Sequence, residues 1–505
     1  MESVRLSWRQ SAHNPDVYVR DRAATELLMD IGNVAAQGLY SAATHVTFHI
    51  PPSALSGKEL ICRVKTAWKE MRRTSPHISV NANGPFEARY LRYERPRSEA
   101  DIDAWAERSL EVMDASKRGI SLADFQTYLL DPSHCHTEVT PAEGQETKSP
   151  KHVDFRLKFV QNDTTGDHFL GISCNHVMSD GIGGHIFFGR MLKLIAKGVP
   201  KQALWDFAGE PERLSPSAPL QFGIRKEGEP LSAETVDELN THFENLVSKG
   251  PSQGVYTNLS PKDYKPTMAK SSHYTVVIEK EDFDAIRKTW KAKGYTITQA
   301  MNAALSLACY KLESRKTGKS PDTLHQIWPF NIINGRPHFK APYKNATHHF
   351  QCSFVFFPSS TSIDTFEGKD DQLVLEQAAA ESKQNWNSAL KSPNTLNWSH
   401  ETVLKTLELD AETPADSDKM PYLSSVGLVD KYYQRVIPTK SKLPGSLMVR
   451  DVGTGVKFCG KETSLHITGF NGRAFVNFSY DECWYPREDV KWLTDETLRL
   501  MRAFK

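Results

Sequence analysis

The chain has 505 residues, roughly three typical domains' worth or two large ones, and is long enough to bury a sizeable core. Lys plus Arg (62) balance Asp plus Glu (61) to a net charge of +1, so bulk charge points to neither nucleic acid nor a polybasic membrane partner. Apolar residues at 39% and aromatic residues at 10% exclude a disordered chain.

No window approaches the ~18 consecutive apolar residues of a membrane span, and the first ten residues, MESVRLSWRQ, lack the basic flank and apolar run of a signal peptide. The expectation is a soluble, cytoplasmic protein. Its seven cysteines (Cys62, Cys135, Cys174, Cys309, Cys352, Cys459, Cys483) are scattered and form no C-x-x-C pair, which reads as reduced thiols rather than a disulfide framework or zinc ribbon.

Strand and helix signals alternate, which predicts a mixed α/β architecture. The first strand is expected at His45 to Ile50. Leu60, Ile61, Val64, Trp68 and Met71 then recur at helical spacing up to Pro76. Asp131 to His152 is rich in Pro, Ser, Thr and Glu and reads as an exposed loop. Phe155, Leu157 and Phe159 alternate as one strand, and Phe169 to Cys174 suits a second, buried one. A helix is expected through Val236, Leu239, Phe243, Leu246 and Val247, inside a stretch otherwise rich in Pro, Gly and charge. Phe283, Ile286 and Trp290 mark another helix ending at Gly294, and Thr298 is read as the cap of an Ala-rich helix from Gln299 to Ser314. Asn471-Gly472 between two apolar runs predicts a tight hairpin, and Pro486 opens a last helix.

The chemistry concentrates in Gly171 to Gly184, G-I-S-C-N-H-V-M-S-D-G-I-G-G, where an apolar strand runs into His176 with Asp180 four residues on. A histidine at such a junction exposes one ring nitrogen to a cavity while a local contact fixes the other. Its ordinary pKa of roughly 6.5 leaves it largely neutral at physiological pH, able to take a proton from an attacking hydroxyl. Gly181, Gly183 and Gly184 argue against a rigid helix across the motif, with a helix expected from Ile182 to Leu194. They also spoil the geometry needed for His176, Asp180 and His185 to share a metal.

This segment resembles the H-x-x-x-D-G signature of the chloramphenicol-acetyltransferase-like superfamily, which includes BAHD and alcohol acetyltransferases and the condensation domains of peptide synthetases. The resemblance extends to Arg72 to Ser79, to Thr296 to Ala308 and to Asn331 to Arg336 (N-I-I-N-G-R). It implies a two-lobed α/β fold of mixed sheets flanked by helices, with an active-site tunnel between the lobes. Residues 1–205 would form the lobe carrying the motif, 206–267 a crossover linker and 268–505 the second lobe. It further implies His176 as general base, Gly181 beside it, and Asp180 held structurally by Arg336.

Leu423 to Asp430 (L-S-S-V-G-L-V-D) is similar to the S-N-V-G segment of alcohol acetyltransferases, which implies that Ser424 or Ser425 helps hold the oxyanion. The D-F-G-W-G motif of plant BAHD enzymes is absent, and Asn175 stands where condensation domains carry a first histidine. Within the superfamily the likeness runs to fungal trichothecene 15-O-acetyltransferases. That implies a monomer using acetyl-CoA as co-substrate, without a metal, and a small alcohol such as a sesquiterpenoid as acceptor. Two other readings use the same residues: a hydrolase pairing Ser424 or Ser425 with His176, and a non-catalytic acyl-CoA-binding protein.

Three further features stand apart from the motif. His134-Cys135-His136 and His348-His349 are soft-ligand clusters in polar loops, read as adventitious metal affinity rather than built sites. Arg287, Lys288, Lys291 and Lys293 form a basic stretch, read chiefly as a solvated helix face and secondarily as a contact for the phosphates of coenzyme A.

Overall fold

The computed structural model describes residues 6–23, 25–35, 40–82, 90–115, 121–130, 155–200, 206–223, 232–248, 265, 268–318, 320, 322–345, 350–364, 369–392, 394–396, 421–441 and 443–505. The expected loop from Asp131 to His152 and both soft-ligand clusters lie outside them. In chain order the first elements are β1 (Arg9–Gln10), β2 (Val17–Asp21), α1 (Thr25–Ala35), β3 (Ser41–His49), α2 (Gly57–Thr74), β4 (Tyr90–Glu94), α3 (Glu99–Ser109), β5 (Leu110–Asp114) and α4 (Leu122–Leu130). Then come β6 (Phe155–Gln161), β7 (Asp167–Asn175), α5 (Gly181–Lys197), α6 (Ala218–Phe222), α7 (Ala233–Val247), β8 (Ser271–Ile278), α8 (Lys280–Ala292), α9 (Ile297–Thr317) and β9 (Thr323–Asn334). The series closes with β10 (Phe354–Asp364), α10 (Asp371–Lys391), β11 (Tyr422–Leu428), β12 (Val436–Pro438), β13 (Ser446–Lys457), β14 (Ser464–Phe470), β15 (Arg473–Asp481) and α11 (Arg487–Ala503).

These elements form two compact units. One comprises Met1–Glu229, Asn334–Phe354 and Leu428–Lys457; the other Pro230–Ile333, Val355–Gly427 and Phe458–Lys505. The units are therefore discontinuous, unlike the contiguous lobes read from the sequence, because two later excursions of chain complete the first unit. β13 pairs with β3, and the loop around Arg336 docks on Asp180.

The first unit is built on a six-stranded sheet of order β12-β13-β3-β7-β6-β5, antiparallel except for the β5–β6 pair. β3 begins four residues earlier than the alternation suggested and runs fully paired against β7 from Ser41↔Asn175 to His49↔Asp167. On α2 the apolar stripe Leu60, Val64, Trp68 and Met71 is buried, as its period requires. Trp68 stacks on Trp105 of α3 with ring centroids 4.8 Å apart and meets the edge of Phe187 of α5 at 5.8 Å. This packing fixes α5, and with it the turn that precedes α5.

In the second unit a four-stranded sheet of order β11-β14-β15-β8 accompanies the pair β10-β9, and α9 packs against both α10 and α11. α9 is buried nearly all round, through Ala300, Ala303, Ala304 and Ala308 among others, and small side chains let its neighbours approach closely. The β14–β15 hairpin closes on Asn471 (φ 54°) and Gly472 (φ 78°), with Phe470 paired to Arg473, as the Asn-Gly pair predicts.

Candidate active site

β7 ends at Asn175, whose side-chain oxygen accepts from the Val177 N–H (3.1 Å) and whose carbonyl accepts from the Met178 N–H (2.9 Å). This Asx-type turn breaks the strand and presents His176 on the bend. The His77 ring braces the turn from α2's end, with Nε2 3.1 Å from the Met178 carbonyl. The His176 imidazole lies nearly parallel to the Tyr40 ring (centroids 5.8 Å, 15°) and meets Phe354 at 66° and 6.2 Å. Burial lowers its pKa from the ordinary 6.5; backbone groups of His176 and Ser179 and the Asp180 carboxylate act in the opposite direction. The ring is thus neutral, as a proton acceptor must be.

Asp180 is spent on architecture. Its Oδ1 accepts from the Gly183 N–H (2.7 Å), capping α5, and from Arg336 Nη2 (2.9 Å). Its Oδ2 accepts from Arg336 Nη1 (3.0 Å) and from the Ser353 N–H (2.8 Å). Both partners of this bidentate pair are buried, and Arg336 Nη2 also donates to the Gln351 carbonyl at 2.7 Å. The structure therefore brings Asp180 and Arg336 together, and turns the carboxylate toward the arginine rather than into a relay with His176.

As expected, no helix crosses the motif; α5 begins at Gly181, one residue before the expected start, and holds Gly183 and Gly184 in its first turn. The Asp180 cap starts it, and the glycines serve close approach. A Cβ on Gly183 would lie 2.2 Å from the Phe350 carbonyl oxygen, and one on Gly184 would lie 2.4 Å from Thr44 Oγ1. Gly335 meets the same constraint, since a Cβ there would stand 2.5 Å from the Ser353 carbonyl. His185, one turn into α5, is fully buried with Nδ1 2.8 Å from the Tyr433 hydroxyl and Nε2 3.1 Å from Thr454 Oγ1. Both ring nitrogens are thereby occupied, and burial pushes its pKa down to about 3. Among the described residues no group of three or more His, Cys, Asp or Glu side chains is placed to hold a metal ion.

In the second unit Ser424 and Ser425 lie on β11. Adjacent strand residues face opposite sides, so Ser425 shares a face with the core residue Leu423 while Ser424 points away. Ser425 Oγ accepts a hydrogen bond from Thr298 Oγ1 at 2.8 Å. Thr298 does not cap α9, as the sequence reading had it. Thr296 does, through a capping box with Gln299. The basic stretch Arg287, Lys288, Lys291 and Lys293 follows the exposed side of α8, opposite the buried Phe283, Ile286 and Trp290; Arg287 reaches Asp284 and Lys293 reaches Glu376.

Residues 134–331, which span His176, Asp180 and Gly181, match the model of the alcohol acetyltransferase family. The chain is an acyltransferase. Among solved structures, this acyltransferase is similar to the trichothecene 15-O-acetyltransferase TRI3 from Fusarium sporotrichioides, with 16% identity and a TM-score of 0.80 over 99% of this chain and 98% of that one. It is also similar to the first condensation domain of the calcium-dependent antibiotic synthetase (13% identity, TM-score 0.62, 99% and 96% covered). A third similar structure is the starter condensation domain of rhizomide synthetase in complex with C8-CoA (12% identity, TM-score 0.58, 96% and 94% covered). These likenesses establish the two-lobed fold that the signature implied. No curated protein matches the acyltransferase in sequence. Among the described residues no helix is long and apolar enough to cross a membrane.

Proposed function

We propose that this acyltransferase moves an acetyl group from acetyl-CoA to a hydroxyl of a small alcohol, with His176 as general base. The observation that carries the reading is the neutral, ring-stacked imidazole on a bend whose neighbouring carboxylate is wholly engaged elsewhere. His176 takes the proton of the acceptor hydroxyl as that oxygen attacks the thioester carbonyl. The tetrahedral oxyanion, held by a donor such as the Ser425 hydroxyl, collapses and expels the coenzyme A sulfur, which receives the proton back from His176. No covalent enzyme intermediate is needed. TRI3's name supports a trichothecene-type sesquiterpenoid hydroxyl as acceptor, and the family match supports acetyl as the group transferred.

The test is incubation with acetyl-CoA and a panel of alcohols that includes a trichothecene bearing a free 15-hydroxyl, following coenzyme A release and ester mass. The wild type is expected to form an ester. His176→Ala is expected to lose roughly 10²- to 10⁴-fold in rate while keeping its circular dichroism spectrum. Thiol release without ester would replace the reading with a hydrolase, and an active His176→Ala variant would remove the histidine from the chemistry.

A further inference from the structure

We infer that Thr298 is a positioning residue that sets the direction in which the Ser425 hydroxyl donates its proton; the inference rests on Ser425 acting as the oxyanion donor proposed above. α9 has its first backbone groups satisfied by Thr296 and Gln299. Thr296 Oγ1 accepts from the Gln299 N–H (3.3 Å), and Gln299 Oε1 accepts from the Thr296 N–H (2.9 Å). The Thr298 hydroxyl is therefore not needed to start the helix.

Thr298 instead donates its one proton to Ser425 Oγ across 2.8 Å. A serine hydroxyl has one proton and two lone pairs. Once a lone pair is filled by Thr298, the Ser425 O–H bond must point away from Thr298, and that proton is what an oxyanion accepts. The two residues sit on rigid elements, the first turn of a buried helix and a sheet strand, and Ser425 is only partly exposed. A hydroxyl aimed in advance stabilises developing charge without reorganising during the reaction. A lone serine would lose part of that advantage to rotation about its C–O bond.

The chemical consequence is specific. Valine at 298 keeps the shape of threonine and removes the donor, whereas serine keeps the donor and removes a methyl. Thr298→Val is expected to lower kcat about tenfold, the rate equivalent of one net hydrogen bond, with the KM for acetyl-CoA unchanged. Thr298→Ser is expected to restore the rate. Ser425→Ala is expected to lower kcat on the order of 10²-fold, as loss of an oxyanion donor does, and in that background Thr298→Val should add nothing.

Kinetics of the three single variants and the double mutant, each checked for an unchanged melting temperature, distinguish the outcomes. A slow Ser425→Ala beside a fully active Thr298→Val overturns the positioning role and leaves the oxyanion role standing. Additive losses in the double mutant also overturn it, since they place Thr298 in an independent task. A fully active Ser425→Ala overturns the oxyanion reading itself.

Discussion

The two regions that carry the site residues are held in opposite ways. Around His176 and Asp180, in the first unit, buried charge, backbone donors and glycine contacts close in from four directions, and the Asp180 carboxylate accepts four hydrogen bonds. Around Ser425, in the second unit, one hydroxyl pair joins a helix to the strand at the end of a sheet. The first arrangement fixes the backbone that presents a base, and the second leaves the backbone alone and orients a single proton. Substitutions in the frame that holds His176 should therefore be read mainly in stability, and those at His176 itself and in the second region mainly in rate.

The largest effect expected in support of this contrast comes from Asp180→Asn and Arg336→Ala, each of which leaves a buried charge without its partner. Each should cost ~3–5 kcal/mol in urea unfolding, and the double substitution should cost much less than the sum. Full stability in either single variant would break the contrast.

Acid should act next. Folded His185 has a pKa of about 3 and folded His168 about 4, against 6.5 for the ordinary imidazole. The unfolded chain therefore binds protons first. Stability present above pH 6.5 is lost as pH falls toward those values, by up to ~1.4 kcal/mol per pH unit for each histidine. The second unit holds His273, also lowered to about 4 by burial. Hydrogen exchange followed from pH 7 to pH 4 is thus expected to show α5 and β3 losing protection ahead of α9.

Smaller again is Gly183→Ala, which forces a methyl against the Phe350 backbone and should cost ~1–3 kcal/mol in thermal unfolding. The smallest effect belongs to Ser424→Ala. Its side chain faces away from Thr298, so stability should change within ~0.5 kcal/mol and kcat should fall far less than in Ser425→Ala.

Much of the fold was legible where a short pattern carries its own geometry. Phe155, Leu157 and Phe159 share one face of β6 and are fully buried, although Lys158 and Val160 on the other face are buried as well, and Asn471-Gly472 supplies the two positive φ angles that a two-residue hairpin needs. Thr296, and not the Thr298 read from the sequence as the cap, has a Gln three residues later to complete the reciprocal cap. That signal was present in the sequence, and the choice of Thr298 missed it. The glycines after Asp180 were legible only in part. Their helix-weakening tendency was visible, whereas the Phe350 and Thr44 atoms that require them are contributed by distant chain. The pairing of Asp180 with Arg336 spans 156 residues, and no local periodicity encodes it. It followed only from the resemblance of the two motifs to a known signature.

The pairing of β3 with β13 has a consequence for synthesis on the ribosome. Ser41 is matched to Lys457, so the strand beside the one that leads into His176 has a bare edge until β13 has emerged. At roughly 5–20 residues per second, the intervening chain takes some tens of seconds to appear. Throughout that interval β3 offers an unpaired, apolar edge to any other nascent strand. The first unit is thus begun early and finished late, and a fragment ending before Ser446 would leave bare the strand edge that β13 covers.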